Sequence, residues 1–180
     1  GSTFVQKRIF DPIGMTESIA LVSELPGKPN VATPHAEAND TVRVVPIRST
    51  DAIAPAGSVW SSVADMSKWM RFVLDSGRVG NKRLIAAKTF TEMVTPQIRA
   101  DMGTYPTLTL IHPNFFSYGL GWVILEYHGN AAGLTTGRID GMSALIGPCP
   151  PERAGVSVLE TVHQAGSGHA RVDQGCEVRT

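Results

Sequence analysis

Residues 117–125 read Ser117-Tyr118-Gly119-Leu120-Gly121-Trp122-Val123-Ile124-Leu125, and here the chain changes texture. The segment from Tyr118 to Leu125 predicts a strand, with glycines where another backbone comes close. Before it the signals are helical. Ser62-Val63-Ala64-Asp65 is a capping-box-like start, with Asp in the place usually taken by Glu. Val63, Met66, Met70, Val73 and Leu74 follow at helical spacing, and Gly77 supplies the stop, which predicts a helix over 61–76. Residues 86–94 predict a second short helix, ended by Thr95-Pro96. After the glycine-rich segment, Met142 to Ile146 and Val156-Ser157-Val158-Leu159 read as strands. Helices first and strands later, with no βαβ alternation, define an α+β chain.

Toward the N-terminus, residues 4–10 read as the last turns of a helix that Pro12 stops, with Gly14 in the turn. Residues 15–57 are broken by Pro26, Pro29, Pro34, Pro46 and Pro55 and predict irregular chain. One extended piece is marked by Val42, Val44 and Val45 beside Arg43. Residues 97–116 predict loop. The tail, 161–180, has Gly166, Gly168 and Gly175 and no period, so it is expected to be poorly ordered. No internal repeat is present.

The 180 residues carry 16 Lys+Arg against 16 Asp+Glu, so net charge draws the chain neither to nucleic acid nor to an anionic membrane. Nothing approaches 18 consecutive apolar residues, so no membrane span is expected. Gly and Pro number 18 and 12, which predicts many turns. Cys149 and Cys176 have no C-x-x-C spacing; a disulfide and two free thiols both remain open, and so does the compartment.

The motifs of complete active sites are missing. G-x-S-x-G is absent, and so is S-x-x-K. No Tyr is followed two residues later by Asn or Ser. His35, His112, His128, His163 and His169 form no metal-binding spacing, so no metal is expected. Gly119-Leu120-Gly121 lacks the third glycine and following helix of a phosphate loop, and no cofactor is implied.

Several segments, in order, resemble the C-terminal part of the serine β-lactamase and penicillin-binding-protein-like hydrolases, the group of class C β-lactamases, D-aminopeptidases and family VIII-type esterases. Phe10-Asp11-Pro12-Ile13-Gly14-Met15-Thr16 resembles "F-x-P-L-G-M-T". Ala54-Pro55-Ala56-Gly57 and Ser61-Ser62, running into Asp65-Met66-Ser67-Lys68-Trp69, are similar to "A-P-A-G … S-S … D-M-x-x-W". Tyr118 to Trp122 is similar to "Y-G-L-G-W". Gly137-Arg138-Ile139-Asp140-Gly141-Met142-Ser143-Ala144-Leu145 resembles "G-G-I-D-G-M-S-A-L", and Pro151-Glu152-Arg153-Ala154-Gly155-Val156 resembles "P-E-x-x-G-V".

The resemblance implies a partial β-lactamase/transpeptidase-like fold, with antiparallel strands in the C-terminal half and helices from the N-terminal half. It implies an acyl-enzyme mechanism in which the Ser of S-x-x-K attacks, assisted by Lys and by the Tyr of Y-x-N. Those motifs precede the "F-x-P-L-G-M-T" turn in the family. Residues 1–160 are therefore expected to be the C-terminal part of such a domain without its catalytic N-terminal portion, and 161–180 a divergent tail. The third motif, K-T-G or H-x-G, falls at Thr135-Thr136-Gly137, with Thr135 where the family has Lys or His. A neutral hydroxyl there supplies no charge-assisted contact. The plain alternative is an ordinary strand end.

Tyr118, Trp122 and Asp140 are cleft candidates, Asp140 also reading as a turn residue before Gly141. His35 reads as a surface-loop histidine, and Pro148 falls where a strand should continue. The implied function is a fragment of a serine hydrolase, acting in its full-length parent on a small ester, amide or D-peptide and inactive as this chain alone. The alternative is a non-catalytic, decayed relative with a binding or structural role.

Overall fold

The computed structural model describes residues 1–100, 115–127, 130–149 and 153–163. In chain order the helices are α1 (Ser2–Val5), α2 (Asp11–Ile13), α3 (Ala54–Gly57), α4 (Val63–Leu74) and α5 (Ala87–Met93). The strands are β1 (His35–Ala38), β2 (Thr41–Val44), β3 (Arg78–Val79), β4 (Lys82–Arg83), β5 (Ile98–Arg99), β6 (Phe116–Tyr118), β7 (Val123–Tyr127), β8 (Asn130–Ile139), β9 (Met142–Cys149), β10 (Ala154–Glu160) and β11 (Val162–His163). They fall into two compact units. The first holds Gly1–Trp69, Gly137–Ala144 and residues 158–163; the second holds the described parts of Met70–Thr136 and of Leu145–Ser157.

In the first unit, Pro12 does not stop the opening helix. Between α1 and α2 the turns widen to a π-helix, Gln6–Phe10, and Met15 N bonds back to Phe10 O at 2.9 Å. Pro12 lies in the first turn of α2, where its missing donor matters little, and Gly14 at φ +81° ends the run. Ile19, Val22 and Leu25 form a buried cluster against Val31 and Trp60. Ile19 and Trp60 exchange two backbone hydrogen bonds, at 3.0 and 3.1 Å. Asp51 accepts from Val22 N and Ser23 N at 2.6 and 3.1 Å, capping a short 3-10 turn over Val22–Glu24 that the proline count concealed. β1 pairs antiparallel with β2 and parallel with β11. Val162–His163 is thus a strand, not part of an irregular tail; the rest of that expectation, from residue 164, lies outside the described residues.

α4 begins within the expected 61–76 span. Met66, Met70, Phe72 and Val73 are buried, whereas Val63 in its first turn is exposed. α5 matches the second expected helix.

The six-stranded antiparallel sheet has the order β10-β9-β8-β7-β6-β5, so every strand pairs with its sequence neighbour. The fold is α+β, as the helix-then-strand order predicts. In the second unit, Phe116, Val123, Leu125 and Leu134 form the buried cluster, with Ala100 and Ala132 packed against it. Val123 faces Leu134 and Leu125 faces Phe116 across the strands, the alternation of a sheet with one apolar face.

The segment from Tyr118 to Leu125 is not one strand but the hairpin between β6 and β7. Gly121 at φ +83° turns the chain, and Gly119 N bonds Trp122 O at 2.7 Å. The close approach expected of these glycines is real at Gly119, where a Cβ would lie 2.5 Å from Met93 O and 2.9 Å from Ile124 Cδ1.

Pro148 does not end β9 either. It is buried, and its Cγ would lie 3.7 Å from a Cβ at Gly133 on the neighbouring strand, so apolar packing offsets one lost ladder donor. Gly119→Ala is expected to lower the urea midpoint by the equivalent of about 2 kcal/mol, the scale of overpacking against backbone. Gly133→Ala, whose Cβ meets only ordinary contacts from 3.5 Å outward, should leave it unchanged or raised. Equal losses in the two variants contradict this packing.

Candidate functional site

The third-motif position lies on β8. Leu134 is buried opposite Val123, and Gly133 faces Ile124. The two-residue alternation puts Thr136 on the face of Leu134 and Thr135 on the face of Gly133. Both threonines are half-buried and Gly137 is exposed. Consecutive positions therefore carry two neutral hydroxyls and a glycine, with no cation among the three.

The cleft candidates separate. Tyr118, 38% exposed, ends β6 opposite Val123. Trp122 is 5% exposed, with its ring 3.5 Å from a Cβ at Gly133, which is interior packing. Both belong to the second unit with Thr135 and Thr136, whereas Gly137 and Asp140 belong to the first. Asp140 does sit in the turn before Gly141, and its Oδ2 pairs with Arg48 Nε at 3.0 Å. Gly141, at φ +73°, has room for no side chain: a Cβ would meet His35 N at 2.7 Å and Pro34 Cβ at 2.8 Å. His35 opens β1 rather than riding a loop, and its Nδ1 lies 3.1 Å from Thr161 O.

Two features escaped the sequence. The first is a polar cluster around Asp65. Its backbone N–H bonds Ser62 Oγ at 3.2 Å, half of the capping box. The carboxylate does not complete the box. Its Oδ2 accepts from Glu17 N at 2.8 Å and Ser18 Oγ at 2.9 Å, and its Oδ1 accepts from Lys68 Nζ at 2.8 Å. Lys68 Nζ also donates to Gly14 O, Ser62 Oγ donates to Glu17, and Ser18 and Ser61 hydroxyls meet at 2.8 Å. The Asp65 side chain is fully buried. Burial opposes its charge, but Lys68, the Ser18 hydroxyl and the Glu17 N–H outweigh it and hold the carboxyl below its ordinary 3.8. The signal was the Asp at the Glu position of the box, with Lys three residues on.

The second feature is a cleft of about 210 Å³ in the first unit. Pro34, Trp60, Ile139 and Met142 give it apolar walls, and Arg48 and Asp140 are also among its lining residues. Among the described residues, no cluster of His, Cys, Asp and Glu suits a metal ion, and no helix is long and apolar enough to cross a membrane.

The family model described as Beta-lactamase matches residues 2–171, and the chain belongs to that family of serine hydrolases. It is similar to the unguisins hydrolase ungD of Aspergillus violaceofuscus (strain CBS 115571), 29% identical over 164 residues, covering 86% of this chain and 29% of that protein. Among solved structures it resembles the octameric penicillin-binding protein homologue from Pyrococcus abyssi, with TM-score 0.73 and 21% identity over 95% of this chain and 35% of that one. It also resembles a D-stereospecific amidohydrolase from Streptomyces sp., with TM-score 0.73 and 19% identity over 99% of this chain and 49% of the other. These likenesses show a penicillin-binding-protein-like fold. The chain spans under half the length of each of these three proteins.

A depressed folded pKa means that ionised Asp65 adds stability above the ordinary carboxylate range, and that this stability is lost as pH falls through the folded value. Asp65→Asn should destabilise at pH 7 by about 2 kcal/mol, reduced from the fully buried case because Lys68 is partly solvated. The gap to wild type should narrow from pH 5 to pH 3 in urea titrations. A gap constant across that range contradicts the assignment.

Proposed function

We propose that this chain is the third-motif portion of a serine acyl-transfer hydrolase of the β-lactamase family, acting in the full-length parent on a small ester, amide or D-amino-acid-containing peptide. The observation that carries the reading is the family match across residues 2–171 in a chain whose 180 residues hold no S-x-x-K and no Y-x-N. The nucleophilic Ser, its Lys and the Tyr would come from sequence before residue 1. β8 would flank the cleft, with the Thr136 hydroxyl and the Gly137 backbone lining it and supporting the acyl intermediate. The substrate class is supported by the names of the relatives, a D-stereospecific amidohydrolase and an unguisins hydrolase. Residues 1–160 are on this reading the C-terminal part of the catalytic domain, and 161–180 a divergent extension.

One observation favours a second reading. Thr135 stands where the family has a cation, and a neutral hydroxyl gives roughly half the strength of a charge-assisted hydrogen bond to a carboxylate. A decayed, non-catalytic relative with a binding or structural role would have that residue. The in-frame coding sequence upstream separates the two: intact S-x-x-K and Y-x-N motifs support the hydrolase, and broken ones support the decayed relative.

The 180-residue chain should turn over neither nitrocefin nor p-nitrophenyl acetate above the buffer rate. Turnover that Thr136→Ala abolishes would overturn the proposed division of the catalytic machinery.

A further inference from the structure

The cleft bounded by Pro34, Trp60, Ile139 and Met142 shares with the candidate substrate cleft only Asp140, and it combines an apolar interior with one charge of each sign. Arg48 and Asp140 line it, with side chains 80% and 53% exposed. The ion pair brings Arg48 Nε to 3.0 Å from Asp140 Oδ2. Among the described residues, neither side chain forms an ion pair with any third residue. An ion pair this exposed contributes little by itself, so a ligand can share it at small cost. Its geometry offers two donors from a planar guanidinium, suited to a carboxylate, beside a carboxylate oxygen suited to an ammonium.

Size narrows the occupant. The cleft holds about 210 Å³. A drug-sized ligand requires roughly 300–1,000 Å³, and a water-sized group takes about 30 Å³, so the space suits a single side chain and its backbone atoms. Trp60, Ile139 and Met142 favour an aliphatic or thioether group over a polar one. A rim of zero net charge selects against a simple anion or cation and for a molecule carrying both charges on groups attached to one carbon.

From this combination we propose that the cleft is a binding site for a free zwitterionic α-amino acid with an aliphatic side chain. The ligand carboxylate bridges the Arg48 Nη groups, its ammonium faces Asp140 Oδ1, and its side chain enters between Trp60, Ile139 and Met142. Binding here requires no acyl transfer and does not depend on the hydrolase reading.

The test is isothermal titration of the chain with L-leucine, D-leucine, leucinamide and N-acetylleucine. At least one leucine enantiomer should bind saturably. Leucinamide, lacking the carboxylate, and N-acetylleucine, lacking the ammonium, should each bind about threefold more weakly, the scale of one solvent-exposed charged contact. Arg48→Gln should weaken leucine by a similar factor and erase its advantage over leucinamide. Asp140→Asn should erase its advantage over N-acetylleucine. Arg48 is exposed and Asn suits a turn before glycine, so both variants should keep the wild-type thermal midpoint within a few degrees. Absence of saturable binding by either leucine enantiomer overturns the proposal. So does equal affinity for leucine, its amide and its N-acetyl form, or unchanged leucine affinity in both variants.

Discussion

The buried carboxylate of Asp65 is the constraint on which the first unit depends. Its side chain is fully buried, and its two oxygens are met by groups of the chain. Ser18 and the Glu17 N–H meet one oxygen and Lys68 the other, while Lys68 also holds the Gly14 carbonyl. One side chain on the first turn of α4 thereby fixes the bend at residues 14–18. One residue further on, Ile19 pairs with Trp60, which packs on the Ile19-Val22-Leu25 cluster and walls the cleft. A carboxylate that charged but failed to find these partners would cost several kcal/mol, so the cluster favours one arrangement of the segment.

In the second unit the corresponding constraint is steric. Gly119 brings the β6–β7 turn against Met93 O, and the Trp122 ring and Pro148 both lie within 4 Å of where a Cβ at Gly133 would be. The sheet then presents Thr135 and Thr136 at fixed positions on opposite faces of β8. Position alone does not make acyl-transfer chemistry. A nucleophile with a depressed barrier needs an adjacent base, and a substrate carboxylate needs a cation. At Thr135-Thr136-Gly137, β8 carries two hydroxyls and a glycine and no cation.

Much of this was legible in the residues. The period of Met66, Met70 and Val73 and the cap at Ser62 gave α4, and the order of helices and strands gave the fold class. Thr135-Thr136-Gly137, where the family resemblance puts the third motif, lies within β8, a strand that no local period announced. Local rules failed where tertiary packing overrode them. Pro12 was absorbed by a π-widened turn, Pro148 by burial against a glycine, and Gly121 closed a hairpin inside what read as one strand. The Arg48–Asp140 pair was not legible at all, because residues 92 positions apart in sequence meet only through the fold, and neither belongs to a local motif.

On the proposed reading, residues 1–180 contribute the strand carrying Thr135-Thr136-Gly137 and form no acyl-enzyme by themselves. Intact-mass measurement after incubation with benzylpenicillin, and separately with a fluorophosphonate, addresses this most directly. An unmodified 19.2 kDa chain in both incubations is the predicted result. A stoichiometric acyl or phosphonyl adduct on one of its own serines would contradict it.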